Sequence, residues 1–146
     1  MATKSVERAL IDTNVLIDAT DTRRPRHTLA VELLERRPGL VLCAQIAREY
    51  LAVATRPLAD NGLGLPLSGA LANVAEFRRV ARMLPEEKPS LQALLKLLGE
   101  VPCLGKTIHD AALVAAMRVN SVRVLITSNP AHFSRFGALI EVEPLS

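Results

Sequence analysis

The chain has 146 residues, the size of one ordinary domain, and we expect a single folded unit over residues 1–146. Its 49% hydrophobic and 23% charged residues exclude an intrinsically disordered protein, and its formal net charge of +3 is compatible with a polyanionic partner without requiring one. No apolar stretch approaches the roughly 18 residues of a membrane span, and the polar residues 1–7 do not form a signal-peptide pattern, so we expect a cytoplasmic protein with no membrane contact.

Short β-rich segments alternate with longer segments of helical period. The predicted strands cover residues 8–11, 41–44, 122–127 and 139–142. The predicted helices cover residues 27–37, 44–56, 68–79, 90–99 and 107–119, and helical period alone extends the third of them to residue 84. Residues 57–66, rich in glycine and proline, are expected to form a surface loop. The alternation predicts an α/β fold with a parallel sheet covered by helices on both faces.

Asp12 directly follows the first predicted strand, at a point where a helix is expected to begin. In open α/β sheets the ligand crevice lies beyond the carboxyl ends of the strands, so Asp12 is a candidate metal ligand. The alternative is that Asp12 only caps the helix, because Asp, Thr and Asn side chains accept hydrogen bonds from the free N–H groups of a first turn.

Two runs of basic residues are able to line a nucleic-acid backbone. They comprise Arg23, Arg24, Arg26 and His27 in the first run, and Arg78, Arg79 and Arg82 in the second. The alternative for both runs is an ordinary solvated surface. The two cysteines, Cys43 and Cys103, lie far apart without a C-x-x-C motif, which favours reduced intracellular thiols over a disulfide or a zinc site.

Two further carboxylates fall on apolar helix faces. Glu49 lies between Ile46 and Val53 at spacings of three and four, so it should point along the edge of the buried face. Asp110 stands at the head of the apolar stripe formed by Leu113, Val114 and Met117. A carboxylate in such a position is costly unless something pairs with it.

Each of these two acids also has a structural explanation. Glu49 can form a salt bridge with Arg48 or with another arginine. Thr107-x-x-Asp110 fits a capping box, in which the Thr107 side chain caps the helix and the Asp110 side chain, in the first turn, accepts a hydrogen bond from the Thr107 N–H. Capping does not explain, however, why the whole segment after Asp110 is apolar.

Three carboxylates from separate segments repel one another unless a cation lies among them. Mg²⁺ or Mn²⁺ suits hard oxygen ligands, and Mg²⁺ completes its coordination shell with water and substrate phosphate. Asp12, Glu49 and Asp110 therefore predict a site that orients an attacking water and stabilises the leaving oxygen of a phosphodiester.

The last strong strand ends in the polar residues Thr127, Ser128 and Asn129, which are candidates for binding a phosphate or a water held by the metal. Ordinary turn chemistry explains them equally well. His109 and His132 are candidate general acids or phosphate contacts, although a single histidine near a helix start is more often a surface residue. Lys106 is a candidate phosphate contact, but the segment lacks the upstream glycine of a P-loop, so nucleotide triphosphate binding is not predicted.

Four motifs in this order resemble the PIN domain. They are Asp-Thr-Asn-Val-Leu-Ile from Asp12, Glu49-Tyr50-Leu51, Gly-Lys-Thr-Ile-His-Asp-Ala from Gly105, and Leu-Ile-Thr-Ser-Asn-Pro-Ala-His-Phe from Leu125. Each motif alone is a weak signal, whereas all four in order are a strong one. The resemblance runs from Ala9 to Phe136 and, more narrowly, is to VapC-type toxins of bacterial toxin–antitoxin pairs.

The resemblance implies a three-layer α/β/α sandwich around a mostly parallel sheet, with a short strand within residues 79–84. It implies that the acidic metal ligands are Asp12, Glu49 and Asp110, supported by Thr13, Asn14 and Thr127. The implied activity is endoribonuclease cleavage by a metal-activated water, leaving a 3′-hydroxyl and a 5′-phosphate. The implied partners are RNA, a second copy of the chain in a homodimer, and a small antitoxin whose tail enters the acidic groove.

One position departs from the family. A fourth acid often follows the threonine of the last motif, and Asn129 stands there instead. An amide oxygen brings no negative charge, so a second metal site is in doubt and one-metal chemistry or weak Mg²⁺ affinity is favoured.

Other functions fit the sequence less well. A haloacid-dehalogenase-like phosphatase needs a second Asp where Asn14 stands, and a phosphoacceptor receiver needs a mid-chain Asp that residues 41–44 lack. A non-catalytic RNA-binding or regulatory module that keeps the PIN fold remains the alternative, because Asn129 has replaced an acid.

Overall fold

The structure is a computed structural model that describes residues 6–85 and 87–146. Most of the polar stretch expected at residues 1–7 lies outside these ranges. The strands of the described residues are β1 (Ala9–Ile11), β2 (Leu40–Leu42), β3 (Arg82–Met83), β4 (Val124–Thr127) and β5 (Glu141–Pro144). The α-helices are α1 (Thr13–Thr20), α2 (His27–Arg36), α3 (Ala44–Thr55), α4 (Leu67–Val80), α5 (Lys88–Glu100) and α6 (Thr107–Val119).

The strands form one sheet in the order β3-β2-β1-β4-β5, and each neighbouring pair is parallel. Helices α1 to α4 pack on one another, whereas α5 packs on α6. Crossover connections between parallel strands are right-handed. The chain moves in one direction across the sheet from β1 to β3 and in the other direction from β3 to β4, so the helices of these two parts cover opposite faces. The predicted three-layer α/β/α sandwich is confirmed.

The order of the strands reverses between β1 and β4, and this reversal positions the candidate site. Ile11 is in register with Ile126, and the Asp12 N–H donates to the Ile126 carbonyl oxygen at 2.9 Å. The residue after β1 and the residues that end β4 therefore lie side by side. A reversal of this kind leaves a crevice at the carboxyl ends of the two strands.

The core explains why the three central strands are short, continuous apolar runs. All residues of β1, β2 and β4 are buried, as expected for parallel strands with helices on both faces. Tyr50 joins helices α1, α3 and α4 within the core. Its hydroxyl is 2.8 Å from the Thr20 hydroxyl and accepts from Asn73 at 3.0 Å, while its ring meets Phe77 edge to face.

The structure corrects the predicted elements at the edges of the sheet. The helical reading of residues 79–84 is wrong, because α4 ends at Val80 and Arg82 and Met83 pair with Val41 and Leu42. A two-residue strand is too short to show a period of its own. The strand expected at residues 139–142 lies at Glu141–Pro144, and the loop at residues 57–66 contains a short 3-10 helix, Leu58–Asp60.

The predicted helices agree closely with the observed ones, and α6 has the predicted bounds. Cys43 and Cys103 are buried thiols rather than a disulfide, as expected. No helix of the described residues has the length and hydropathy needed to cross a membrane.

Candidate active site

Asp12 serves both as a helix cap and as part of the cleft. It is the N-cap residue of α1, and its Oδ1 accepts a hydrogen bond from the Thr13 N–H at 2.8 Å. Its Oδ2 accepts one from the Thr127 hydroxyl at 2.8 Å. The side chain also lines an open cavity at the carboxyl edge of the sheet, so the capping role and the role predicted for Asp12 are compatible.

Thr127 is a buried support for Asp12. It is 0% exposed, and its hydroxyl proton goes to Asp12 while its oxygen accepts from the Asn14 amide and from the Asn129 N–H, both at 3.1 Å. The Asn14 side-chain oxygen in turn accepts from the Ser128 N–H at 3.0 Å. The ends of β1 and β4 are therefore joined through side chains as well as through the backbone.

Glu49, on α3, is joined to Asp12 through Thr13. The Thr13 hydroxyl donates to Glu49 Oε2 at 2.7 Å, while the Thr13 N–H binds Asp12. No salt bridge from Glu49 to an arginine is seen within residues 6–85 and 87–146. Instead the Gln45 amide donates to Glu49 Oε1 at 3.0 Å and to the His109 carbonyl oxygen at 3.1 Å.

Asp110 lies half-buried in the first turn of α6. The capping box with Thr107 does not form, because the Thr107 hydroxyl bonds to the backbone of Leu104. Asp110 lines the same cavity as Asp12, a space of about 300 Å³. The other lining residues are Thr13, Asn14, Ile17, Arg24, Val53, His132 and Phe133.

The electrostatics show that the three acids influence one another. Burial raises the pKa of the Asp12 carboxyl; hydrogen bonds from Thr127 and Thr13 oppose this, and the charges of Glu49 and Asp110 add to it. Burial also raises the pKa of Asp110, and the charge of Glu49 adds to that shift, whereas His132 and Arg135 oppose it. Asp12 therefore lies within the field of Glu49 and Asp110, and Asp110 lies within the field of Glu49.

The chemistry of these donors fits a hard divalent cation. Asp12, Glu49 and Asp110 supply carboxylate oxygens, and none forms a salt bridge with a described lysine or arginine. As the side chains stand, however, no three His, Cys, Asp or Glu residues of the described chain are grouped closely enough to hold one ion. The three-acid ligand set therefore remains a prediction.

Other predicted residues lie around this centre. His132 lines the cavity, whereas His109 and Lys106 are exposed outside its lining. Asn129 is exposed, and its contact with the centre is made by its backbone N–H. Of the two basic runs, only Arg24 reaches the cavity.

Sequence reasoning missed two residues of the network. Gln45 links Glu49 to the first turn of α6, and Asp18 accepts hydrogen bonds from Ser128 and Arg24. Both share a helix face with a predicted residue at a spacing of four, Gln45 with Glu49 and Asp18 with Asn14. That spacing was the available signal.

Comparison with known proteins identifies the family. The family model of the PIN domain matches residues 9–139, so the chain belongs to the PIN domain family. A comparison with curated protein sequences finds no match.

Solved structures share the fold at low sequence identity. A chain of VapBC2 from Rickettsia felis, solved bound to a promoter DNA fragment, has a TM-score of 0.67 at 11% identity, over 94% of this chain and 98% of that chain. A chain of DNA-bound VapBC from Salmonella typhimurium has a TM-score of 0.67 at 16% identity, over 97% and 100%. VapC20 from Mycobacterium tuberculosis, a toxin that cleaves the sarcin-ricin loop, has a TM-score of 0.64 at 16% identity, over 93% and 99%.

The raised pKa of Asp12 leads to a prediction about stability. The folded protein holds the Asp12 proton more tightly than the unfolded chain, so ionisation of Asp12 destabilises the fold as the pH rises through the raised pKa. In EDTA at about pH 7, Asp12→Asn should therefore raise the midpoint of thermal unfolding by about 2–4 °C. The asparagine amide oxygen keeps the helix cap. Its NH2 group cannot accept the Thr127 hydroxyl proton, and for this reason the expected gain is no larger.

The control is Asp60→Asn, since Asp60 is exposed and should not change the midpoint. The advantage of Asp12→Asn should shrink as the pH falls towards 3.8, the ordinary value for an aspartate. A midpoint below that of the wild type at neutral pH would contradict a destabilising effect of the ionised Asp12 carboxylate.

Proposed function

We propose that this protein is an endoribonuclease that depends on Mg²⁺ or Mn²⁺ and acts in the cytoplasm as the toxin of a toxin–antitoxin pair. The observation that supports the proposal is the mutual electrostatic influence of Asp12, Glu49 and Asp110, none of which forms a salt bridge with a described lysine or arginine, at the carboxyl edge of a PIN-domain sheet. Nucleases of the PIN family generally use divalent metals.

The chain's own residues have distinct tasks in this proposal. Asp12, Glu49 and Asp110 hold the cation, and Thr127 and Thr13 orient the first two by hydrogen bonds. Gln45 ties Glu49 to the backbone of the first turn of α6, the turn that carries Asp110. When bound, the cation supplies activation of water and stabilisation of charge on the leaving 3′-oxygen of the RNA.

The neighbours in structure support the biological context. They include toxin–antitoxin complexes, and VapC20 cleaves an RNA element, the sarcin-ricin loop. We extend this context to the present chain as part of the proposal, together with the homodimer implied by the VapC resemblance. The substrate is RNA, and cleavage leaves a 3′-hydroxyl and a 5′-phosphate.

Loss of one ligand should abolish the activity. In a fluorogenic RNA assay with Mn²⁺, Asp12→Asn should lower the rate by at least about a hundredfold, because it removes a charge at the metal, and EDTA should do the same to the wild type. Asp60→Asn is the control variant and should cleave as the wild type does. Equal residual cleavage by the wild type and Asp12→Asn would remove the nuclease proposal.

Asn129 favours a second candidate function, a non-catalytic RNA-binding or regulatory module. The family's usual fourth acid is absent at this position, and the three remaining acids do not stand as a ready-made ion site. RNA binding without cleavage in Mn²⁺ would support this second candidate.

Restoring the acid tests what Asn129 does. Its side chain is exposed and has no hydrogen-bond partner among the described residues, so Asn129→Asp should cost little stability. The added charge should strengthen Mn²⁺ binding about tenfold in calorimetry and increase cleavage. Asn129→Ala is the matched control, and equal Mn²⁺ affinity in Asp and Ala variants would show that position 129 does not contribute to the site.

The excess of acid should also attract the basic tail of an antitoxin. We expect a peptide bearing arginine or lysine to bind at the carboxylates and to compete with Mn²⁺ in a calorimetric titration. Asp12→Asn should weaken the binding of the peptide as well as the binding of Mn²⁺. Independent binding of peptide and Mn²⁺ would contradict this expectation.

A further inference from the structure

Asp18 is a buried carboxylate that the catalytic proposal does not use. It lies on α1 among the buried residues Val15, Leu16 and Ile17 and is only 5% exposed. A carboxylate in such a place is costly unless its oxygens are hydrogen-bonded. Oδ1 accepts from Arg24 Nη1 at 3.3 Å, and Oδ2 accepts from the Ser128 hydroxyl at the end of β4.

Asp18 thereby holds Arg24 at the candidate active site. Arg24 lines the same cavity as Asp12 and Asp110, and its side chain remains 40% exposed. A second acid, Asp21, lies 3.7 Å from Nε. Only one of the five guanidinium N–H groups makes a hydrogen bond within the described residues, and Nε faces Asp21, so the three remaining N–H groups are available to a ligand.

Arg24 differs in this respect from the arginines around it in sequence. Arg23 is 72% exposed, pairs with Asp21 and does not line the cavity. In the second basic run, Arg79 pairs with Glu76 on the surface of α4. The run of basic residues therefore contributes one arginine to the cleft, and that arginine is the one with a buried anchor.

We propose that Arg24 binds a phosphate group of the RNA strand in the cleft and that Asp18 is the positioning residue that holds it there. This assignment rests on the proposed function. The guanidinium group matches two phosphate oxygens at once, and an anion that approaches three carboxylates needs a fixed positive charge beside them. The anchor lowers the cost of ordering a long side chain when RNA binds.

The test measures RNA binding apart from cleavage. A fluorescein-labelled single-stranded RNA of about 12 nucleotides is titrated with protein in EDTA, from roughly 50 to 300 mM KCl, with anisotropy as the readout. Arg24→Gln should bind about tenfold more weakly at low salt, with a salt slope smaller by about 0.7, the value for one lost phosphate contact on a single strand. Arg23→Gln, a charge change of the same size one residue away, should bind as the wild type does.

Two further variants separate contact from folding. Arg24→Lys keeps the charge but loses the paired donors of the guanidinium group. Its affinity for RNA should therefore lie between those of the wild type and Arg24→Gln, with the salt slope of the wild type. Asp18→Asn should weaken RNA binding because Arg24 loses its anchor. In a protein that already carries Asp18→Asn, adding Arg24→Gln should therefore weaken RNA binding by less than about twofold more. A merely structural Asp18 would lower the unfolding midpoint while leaving RNA affinity and its salt slope unchanged, and that result would overturn the positioning role.

The outcomes distinguish this assignment from the proposed function. If the wild type cleaves RNA and Arg24→Gln matches its affinity and salt slope, the assignment of Arg24 is wrong and the nuclease proposal stands. If the wild type neither binds nor cleaves RNA, the proposed function is overturned and this assignment with it.

Discussion

The hydrogen bond from the Thr127 hydroxyl to the Asp12 carboxylate is the contact on which the rest of the site depends. It joins residues 115 positions apart, and it forms because β1 and β4 are parallel neighbours at the point where the strand order reverses. Asn14, Ser128 and Asn129 add bonds around the same hydroxyl. The position of Asp12 is therefore set by the sheet rather than by a flexible loop.

The junction of β1 and β4 also brings negatively charged side chains to positions where their charge destabilises the fold. Asp12 and Asp110 are buried enough for their pKa values to rise, and Glu49 adds repulsion to both. The hydrogen bonds from Thr13, Thr127 and Gln45 offset part of this cost but bring no positive charge. Strain of this kind is common at functional sites, where stability is given up for reactivity.

Asp18 differs from these three acids because its charge is paired within the chain. Asp18 is buried one helical turn beyond Asn14, yet it is matched by Arg24 and Ser128, whereas Asp12, Glu49 and Asp110 form no salt bridge with a lysine or arginine of the described residues. Asp18 thus anchors the guanidinium group of Arg24, whereas Asp12, Glu49 and Asp110 are the predicted ligands of a metal ion. A PIN fold can therefore carry a structural ion pair beside acids whose pKa values are raised, on the same edge of the sheet.

Much of the fold can be predicted from patterns among residues that are close in the sequence. The bounds of α6, the apolar central strands and the position of Asp12 at a strand end follow from period and composition, because each depends on neighbouring residues. Position at a strand end and on apolar helix faces singled out the three acids, and the motifs that resemble the PIN domain contain the same residues. Their role as metal ligands remains a prediction.

Tertiary structure decided what depends on remote partners. The strand β3 exists because Arg82 and Met83 meet the edge of β2, although their own sequence continues a helical period. Thr13 bridges Asp12 to Glu49, Gln45 ties Glu49 to α6, and Asp18 selects Arg24 from a run of basic residues. No local pattern specifies these bonds, because each depends on the separation of two side chains that only the packed sheet and helices determine.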